Sequence, residues 1–255
     1  MTTSWDDGDP MDLRVADLLS KYGIAGTFYV PATTESGTMS AAQLRELSRD
    51  FEIGSHTLHH VDLTRVADQT AWREIADSRI WVEDNTGVSC LCFCPPLGRC
   101  EGRHLRMIRK AGYLGLRSVE LLSIDFPRRQ AELLLIPTTV QAFPHRFSTF
   151  ARNAIKRRAA ANLWRFLLYG RAVEWPVMAE ALLQHVIARG GVFHLWGHSW
   201  ELQESSQWRR LEDVLRLMGG LAAQAPALTN GQLCLTLLSP LTARDQAATA
   251  AAVGG

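Results

Sequence analysis

Two adjacent carboxylates lie near the start of the chain, in the stretch Ser4-Trp5-Asp6-Asp7-Gly8. Side chains of a β-strand alternate between its two faces, but a strand end followed by glycine can break that alternation. Asp6 and Asp7 could then reach the same cavity, where one would bind a cation and the other would act as a base. Paired aspartates are also common in surface turns, so the pair alone does not decide between these interpretations.

Histidines form the second candidate stretch, residues 54–60, which follows an apolar run. His56 and His60 are four residues apart, the spacing that places two imidazoles on one side of a helical turn in zinc-binding helices. A lone histidine is usually a core or surface residue, but a cluster at a predicted strand end favours metal binding. Two histidines and one aspartate would leave a coordination position open for water, which is typical of a catalytic metal site.

These motifs, taken in order, resemble those of the polysaccharide deacetylases of the NodB homology type, a carbohydrate esterase family. The T-F-D-D-G motif of that family corresponds to T-S-W-D-D-G at residues 3–8, and its H-[ST]-x-x-H motif corresponds to residues 56–60. Its proline-rich loop resembles F-C-P-P-L-G at residues 93–98, and its final strand, which ends at a catalytic histidine, resembles F-H-L-W-G-H-S-W-E at residues 193–201. The resemblance covers about residues 2 to 200.

The resemblance implies an α/β fold, a single distorted (β/α) barrel of about seven strands. The sequence supports this fold, because strand-like apolar runs alternate with helical periodicity, which favours parallel strands joined by right-handed crossovers. Site residues are then expected at the carboxyl-terminal rim of the barrel. We expect one barrel domain over residues 1–242, with its last strand at residues 232–238, and a disordered alanine-rich tail over residues 243–255.

The resemblance also implies residue roles. Asp7, His56 and His60 would hold one divalent metal ion, and their ligand types favour Zn²⁺, with Co²⁺ or Ni²⁺ as alternatives. Asp6 would be the general base that takes a proton from the activated water, although a role in orienting a histidine ligand is the alternative. His59 lies between the two matching positions and is not expected to be a ligand.

The general acid is expected to be a histidine of the last motif, which offers two candidates. His194 lies inside an apolar strand and could be a core residue, whereas His198 follows Gly197 at the strand end, where barrel site residues belong. We therefore favour His198. Glu201 or Asp125 could orient it and raise its pKa.

Substrate contacts are expected from residues beside the motifs. The family loop often carries an arginine before its Pro-Pro pair, but Cys94 stands at that position here, so Arg117 at another strand end is expected to supply the cation beside Asp6. Backbone N–H groups of the loop could stabilise an oxyanion. The indole faces of Trp5 and Trp196 suit sugar rings, although apolar packing is the alternative for both residues. The predicted substrate-binding residues are Trp5, Pro96, Leu97, Gly98, Arg117 and Trp196.

The predicted function is that of a metal-dependent hydrolase removing an N-acetyl group from an acetamido sugar or a related small glycoconjugate. The alternatives are a deformylase or amidase acting on a non-sugar amide and, from a different class, a catalytically inactive carbohydrate-binding barrel. The presence of Asp6, Asp7, His56 and His60 together argues against the inactive barrel, and the missing loop arginine is the one feature in its favour.

Composition limits the partners and the location. The formal net charge of +1 identifies no charged partner, and nucleic acid is not expected. The first ten residues resemble no signal peptide, and no apolar run approaches membrane-spanning length, so a cytoplasmic location is expected. Five cysteines, an odd number, favour reduced thiols, with Cys90, Cys92 and Cys94 expected as small buried residues.

Residues 133–173 differ in composition from the rest of the chain, because they contain seven basic residues and no Asp or Glu. Aromatic and aliphatic residues are interspersed with the basic ones, which predicts a basic amphipathic helix. Such a helix can lie on an anionic membrane, so peripheral membrane contact through residues 146–171 is a hypothesis, with an ordinary solvated arginine-rich face as the alternative. The sequence does not predict the oligomeric state.

Overall fold

The computed structural model of the protein describes residues 1–145, 147–157, 162, 164 and 174–239. The predicted tail, residues 243–255, lies outside this part of the chain.

Nine strands in the described residues form one sheet, and helices follow most of them. In chain order the strands are β1 (Thr2–Asp6), β2 (Thr27–Val30), β3 (Glu52–Ser55), β4 (Cys92–Phe93), β5 (Gly115–Arg117), β6 (Arg128–Gln130), β7 (Leu133–Ile136), β8 (Val140–Gln141) and β9 (His194–Gly197). The helices are α1 (Asp12–Lys21), α2 (Ala41–Leu47), α3 (Asp68–Thr86), α4 (Gly102–Lys110), α5 (Phe147–Arg157), α6 (Trp175–Arg189), α7 (Ser199–Glu204), α8 (Trp208–Gly220) and α9 (Asn230–Leu238). Two 3₁₀ turns cover Leu63–Arg65 and Pro96–Gly98.

The strand order across the sheet is β6-β7-β5-β4-β3-β2-β1-β9-β8. Every neighbouring pair is parallel except β6 and β7. Parallel strands end at the same edge, so the residues after β1, β3, β4, β5 and β9 meet at one rim. The curled sheet agrees with the predicted distorted barrel, and its nine strands in the described residues exceed the roughly seven expected.

The two faces of β1 differ in character. Strand register pairs Asp6 with Tyr29, and alternation places Ser4 on the side of Asp6 and Trp5 on the other. Trp5 belongs to the large apolar core, whereas Tyr29 belongs to a smaller cluster. The members of the smaller cluster are Tyr29, Cys92, Cys94, Leu134, Ile136, Val192, Leu233 and Cys234.

The predicted strand at residues 232–238 is wrong, because Asn230–Leu238 form helix α9. Thr229 and Gln232 make a capping box, in which each side chain accepts a hydrogen bond from the other residue's backbone N–H. The fully buried Asn230 then donates to the Tyr29 hydroxyl and accepts from the Thr2 hydroxyl, both at 2.9 Å. Helix α9 therefore packs against the amino-terminal part of β1, away from the rim.

Buried cysteines line the contact with α9, as expected for reduced small residues. All five cysteines are free thiols, and Cys90, Cys92, Cys94 and Cys234 are buried. A Cβ atom at Gly115 would come within 2.6 Å of the Cys234 sulfur. Glycine at this position therefore lets α9 approach the sheet closely.

The segment without acidic residues is only partly helical, which corrects the prediction. Its first part forms β7 and β8, because the run Leu133–Ile136 is buried in the sheet. Helix α5 follows, with Arg152 and Lys156 exposed and Ile155 71% exposed. Most of residues 158–173 lie outside the described part of the chain. Within the described residues, no helix combines the length and apolar character that a bilayer crossing requires.

Candidate metal centre and active site

Asp6 and Asp7 reach the same cavity because the backbone turns at Asp7. Asp6 is the last residue of β1, and Asp7 has a φ of +78° in the left-handed region. That conformation interrupts the strand alternation, so both carboxylates line one cavity at the rim. Gly8 continues the turn with a φ of +65°, and a Cβ atom there would lie 2.6 Å from a methyl group of Val30.

The predicted ligands converge on one oxygen atom. Asp7 Oδ1 lies 3.4 Å from His56 Nε2 and 3.1 Å from His60 Nε2. Burial opposes ionisation of Asp7, but hydrogen bonds to both imidazoles outweigh it and hold the pKa of Asp7 well below its usual value. Trp200 donates its indole N–H to the other oxygen, Oδ2, at 3.0 Å.

Hydrogen bonds away from the centre fix the two histidines. His56 Nδ1 lies 2.7 Å from the Cys94 carbonyl oxygen, which can only accept. Nδ1 therefore carries a proton, and Nε2, which faces Asp7, is the nitrogen available to a metal ion. The loop bearing His60 is held by Glu74 of α3, whose carboxylate accepts from the backbone N–H groups of Leu58 and His59.

This donor set fits a divalent metal ion. One ligand atom from each of Asp7, His56 and His60 lies within 4.8 Å of the others. Two imidazole nitrogens and a carboxylate oxygen suit Zn²⁺ and also Co²⁺ or Ni²⁺. The fixed tautomer of His56 is the form that a metal-binding histidine needs.

A second grouping, Asp6, His56 and Cys94, is equally compact but fits a metal poorly. Burial raises the pKa of the Cys94 thiol well above its usual value, so the sulfur stays protonated. The Asp6 carboxylate is already paired with the guanidinium of Arg117. The Asp7 set is therefore the better candidate for a metal site.

Arg117 lies where the sequence interpretation placed it, beside Asp6. It is fully buried at the end of β5, and its Nη2 donates to Asp6 Oδ2. Burial opposes ionisation of Asp6, but the charges of Arg117, His56 and His198 outweigh it, so the pKa of Asp6 is lowered. The guanidinium lies 4.6 Å from the centre of the Trp196 ring, which holds it in place.

His198 lies at the same rim, immediately after β9. Its Nε2 is 3.9 Å from Asp6 Oδ2 and 3.8 Å from Asp7 Oδ2, and its Nδ1 is 2.6 Å from Glu201 Oε2. Burial alone would lower the pKa of His198, but the hydrogen bond to Glu201 and the charges of both aspartates raise it to about 9.

His194 lies inside the fold instead. It is fully buried, with Nε2 at 2.9 Å from the Ser4 hydroxyl and Nδ1 at 3.0 Å from the Pro137 carbonyl oxygen. Burial lowers the pKa of His194 to about 3, so the ring is neutral. The geometry places His194 away from both candidate cavities.

Part of the chain matches a known protein family. Residues 1–116 match the family model described as polysaccharide deacetylase. This part of the chain is therefore similar to polysaccharide deacetylases. A peptidoglycan-N-acetylglucosamine deacetylase, PgdA, from Listeria monocytogenes is 28% identical over 97 residues, which cover 37% of this chain and 21% of the relative. The chain thus matches only about a fifth of the length of the curated relatives.

Three solved structures share the fold along most of the chain. A Mycobacterium smegmatis protein classed provisionally as a polysaccharide deacetylase is 14% identical, with a TM-score of 0.66 and coverage of 94% of this chain and 92% of that one. The chitin deacetylase of Colletotrichum lindemuthianum is 16% identical, with a TM-score of 0.56 and coverage of 91% and 85%. The Xyl-CE4 domain of a xylanase from the hindgut metagenome of Trinervitermes trinervoides is 17% identical, with a TM-score of 0.56 and coverage of 92% and 89%. The predicted resemblance and fold are confirmed.

The remaining predicted contact residues of this site divide into two groups. Leu97, Gly98 and Trp196 line the cavity with Asp6 and Asp7. Trp5 does not, because its ring is fully buried in the large core, so the prediction of a substrate contact there is wrong. Pro96 is buried and is not among the residues lining the cavity.

Two cavities meet at the candidate metal centre and share Asp7, His60 and Trp200. The first, of about 570 Å³, has an acidic wall that includes Asp9, Glu35 and Glu204. The second, of about 420 Å³, contains Asp6 and His198 and has a largely apolar wall. The apolar wall comprises Leu97, Val119, Leu121 and Trp196. The second cavity therefore contains the residues predicted to act as base and acid.

Several site residues were missed by the sequence interpretation. Gln141 and His145 line the second cavity, and Thr149 and Asn153 of α5 complete its wall. All four lie in the segment without acidic residues, for which the charge pattern predicted only a helix in contact with a membrane or with solvent. The signal that could have found them is the short strand β8, since residues following a parallel strand belong to the rim.

Proposed function

We propose that the protein is a metal-dependent hydrolase that removes an N-acetyl group from an acetamido sugar or a related small glycoconjugate. The observation that carries this proposal is the convergence of three metal-ligand side chains with Asp6 and His198 at one rim. Amide hydrolysis needs these components, namely an activated water, a base, and an acid for the leaving amine.

Asp7, His56 and His60 would hold the metal ion. When bound, a divalent ion lowers the pKa of a water molecule and offsets negative charge on a carbonyl oxygen. The low pKa of Asp7 keeps its carboxylate available as a ligand at neutral pH.

Asp6 takes the proton from the attacking water in this proposal. Arg117 occupies Oδ2, while Oδ1 is buried and has no hydrogen-bond partner among the described residues. Oδ1 is therefore the oxygen that can accept the proton. The cation beside it keeps Asp6 ionised, as the arginine of the family loop would if Cys94 did not replace it.

His198 donates a proton to the leaving nitrogen. Its Nδ1 is held by Glu201, so Nε2 faces the two aspartates and the second cavity. The raised pKa of His198 favours the protonated form that an acid needs. Glu201, rather than Asp125, occupies the orienting position.

Backbone N–H groups of the 3₁₀ turn at Pro96–Gly98 are candidates for stabilising the oxyanion. The Gly98 N–H already donates to the Pro95 carbonyl oxygen at 3.0 Å. Leu97 therefore carries the better candidate N–H. Its φ of +58° is a strained conformation, of the kind often retained at functional sites.

The alternatives would use the same rim differently. A deformylase or an amidase acting on a non-sugar amide needs the same ligands, base and acid. A catalytically inactive carbohydrate-binding barrel needs none of them, so the assembled rim argues against it. The expected cytoplasmic location and peripheral membrane contact remain predictions, as does the absence of a nucleic-acid partner.

Acetate release from a panel of acetylated amino sugars, formylated amides and simple acetamides tests the proposed function. We expect acetate from the acetamido sugars with zinc-loaded protein and much less after chelation. Preferential release of formate would favour the deformylase, and binding of sugars without any hydrolysis would favour the inactive barrel.

A further inference from the structure

A line of hydrogen bonds runs from the proposed acid to the far wall of the second cavity. Glu201 Oε2 accepts from His198 Nδ1 at 2.6 Å and from Gln141 Nε2 at 2.8 Å. The other end of the Gln141 amide, Oε1, lies 2.7 Å from His145 Nε2. Four side chains are thus connected in series, and none of the three bonds involves a predicted metal ligand.

The series fixes the proton positions on His145. A carboxylate accepts hydrogen bonds, so the Gln141 amide must turn its NH₂ group towards Glu201 and its oxygen towards His145. An amide oxygen also accepts only, so His145 Nε2 must carry a proton. In a neutral ring the other nitrogen, Nδ1, is then an acceptor.

His145 is held rigidly where it can meet a substrate. Its ring centre lies 5.1 Å from that of Phe143 and 5.7 Å from that of Phe150, which it meets edge to face. The half-buried ring lines the second cavity together with His198. Burial lowers the pKa of His145, which favours the neutral ring.

We propose that His145 binds a hydroxyl group of a carbohydrate substrate, with Nδ1 accepting the hydrogen bond. The inference rests on the proposed function, since it names a feature of the substrate that the same cavity would recognise. An acceptor selects groups that carry a proton, such as sugar hydroxyls, over carbonyl, carboxylate or phosphate oxygens. Gln141 acts as a positioning residue, because one amide holds both His145 and Glu201.

Ligand binding to non-hydrolysing protein tests this proposal directly. The zinc-supplemented Asp6→Asn protein would be titrated with N-acetylglucosamine and its monodeoxy analogues, with tryptophan fluorescence as the readout because Trp196 and Trp200 line the cavity. Loss of a hydrogen bond to a buried group should weaken binding by about tenfold. We therefore expect one deoxy analogue to bind about tenfold more weakly than the parent sugar.

Variants of His145 assign that difference to the residue. In His145→Phe the parent sugar should bind about tenfold more weakly, and the preference over the critical deoxy analogue should disappear. His145→Asn should retain part of the preference, because its amide oxygen can take the place of Nδ1. His185→Phe on α6, which lines neither cavity, is the matched control and should bind as the parent protein does.

Two results would overturn the inference. One is that the Asp6→Asn protein binds the parent sugar equally well with and without the His145→Phe substitution. The other is that no sugar in the panel shows saturable binding. Wild-type acetate release together with either result would leave the proposed function standing. His145-dependent sugar binding without acetate release by the wild type would overturn the proposed function and support the binding role.

Discussion

Two histidines four residues apart, one inside the barrel and one at its rim, are in opposite states. His194 is fully buried between the Ser4 hydroxyl and a backbone carbonyl, and burial lowers its pKa to about 3. His198 lies beside Glu201, Asp6 and Asp7, and despite burial their hydrogen bonding and charges raise its pKa to about 9. The balance of neighbouring charges decides the state, since the Arg117 charge adds to the effect of burial on His194, whereas three carboxylates act on His198.

Turnover should show the largest difference between the two histidines. His198→Ala should lower kcat by about 10²–10⁴-fold, because it removes the proposed acid, while zinc content stays normal. His194→Gln, which keeps a hydrogen-bonding group in the barrel, should change kcat far less. Steady-state acetate release and metal analysis measure both. Greater sensitivity at His194 in a folded protein would exchange the two roles.

The pH dependence of stability should have opposite signs at the two sites. His194 binds its proton more weakly when folded, so its contribution is present above the unfolded pKa of about 6.5 and is lost as pH falls towards about 3. His198 binds its proton more strongly when folded, so its contribution is present below about 6.5 and is lost as pH rises through about 9.

Each effect amounts to at most about 1.4 kcal/mol per pH unit within its window. Denaturant unfolding of metal-free protein at a series of pH values measures it. His194→Gln should flatten the acid side of the profile and His198→Ala the alkaline side. Unchanged slopes in both variants would show that neither histidine has the state described above.

A smaller effect is expected at the base of the barrel, where polar groups stabilise the fold without serving the site. Asn230→Ala leaves the Thr2 and Tyr29 hydroxyls without their partner and should lower the free energy of unfolding by roughly 1–3 kcal/mol. Zinc content and kcat should stay near wild type. Gln184→Ala, an exposed amide on α6, is the control and should be neutral. Loss of zinc in Asn230→Ala would contradict this separation of base and rim.

The smallest effect concerns the outer surface of α5, whose inner side lines the cavity. If the segment contacts anionic membranes, Arg152→Ala with Lys156→Ala should weaken co-sedimentation with anionic vesicles by roughly fivefold per residue at low salt. Arg106→Ala with Lys110→Ala removes the same charge from α4 and should have no effect. Equal binding of anionic vesicles by both double variants, or no binding by the wild type, would indicate that α5 is an ordinary solvated face.

The motifs of the rim were predictable because their residues follow strands directly in the sequence. The two histidines four apart and the histidine after Gly197 each followed a recognisable apolar run, and the Asp-Asp-Gly turn matched a family motif. The pairing of Arg117 with Asp6 could be expected from the cation missing at Cys94. Its geometry could not, since it depends on packing between β1 and β5.

Other features were missed for identifiable reasons. The apolar run at residues 232–238 suggested a strand, although the Thr229 and Gln232 pair is a capping box that indicates a helix start. Trp5 stands beside two site residues, but strand alternation turns it into the core. His145 lay in a segment interpreted from its charge, and only the fold shows that the same segment also lines the cavity.

The division of roles between the two adjacent aspartates tests the account most directly. Zinc content and acetate release would be measured side by side for wild type, Asp6→Asn and Asp7→Asn. We expect Asp6→Asn to retain zinc and lose about 10²–10⁴-fold in kcat, and Asp7→Asn to lose zinc affinity. Near-normal turnover in Asp6→Asn, or full zinc occupancy in Asp7→Asn, would contradict the assignment of base and ligand.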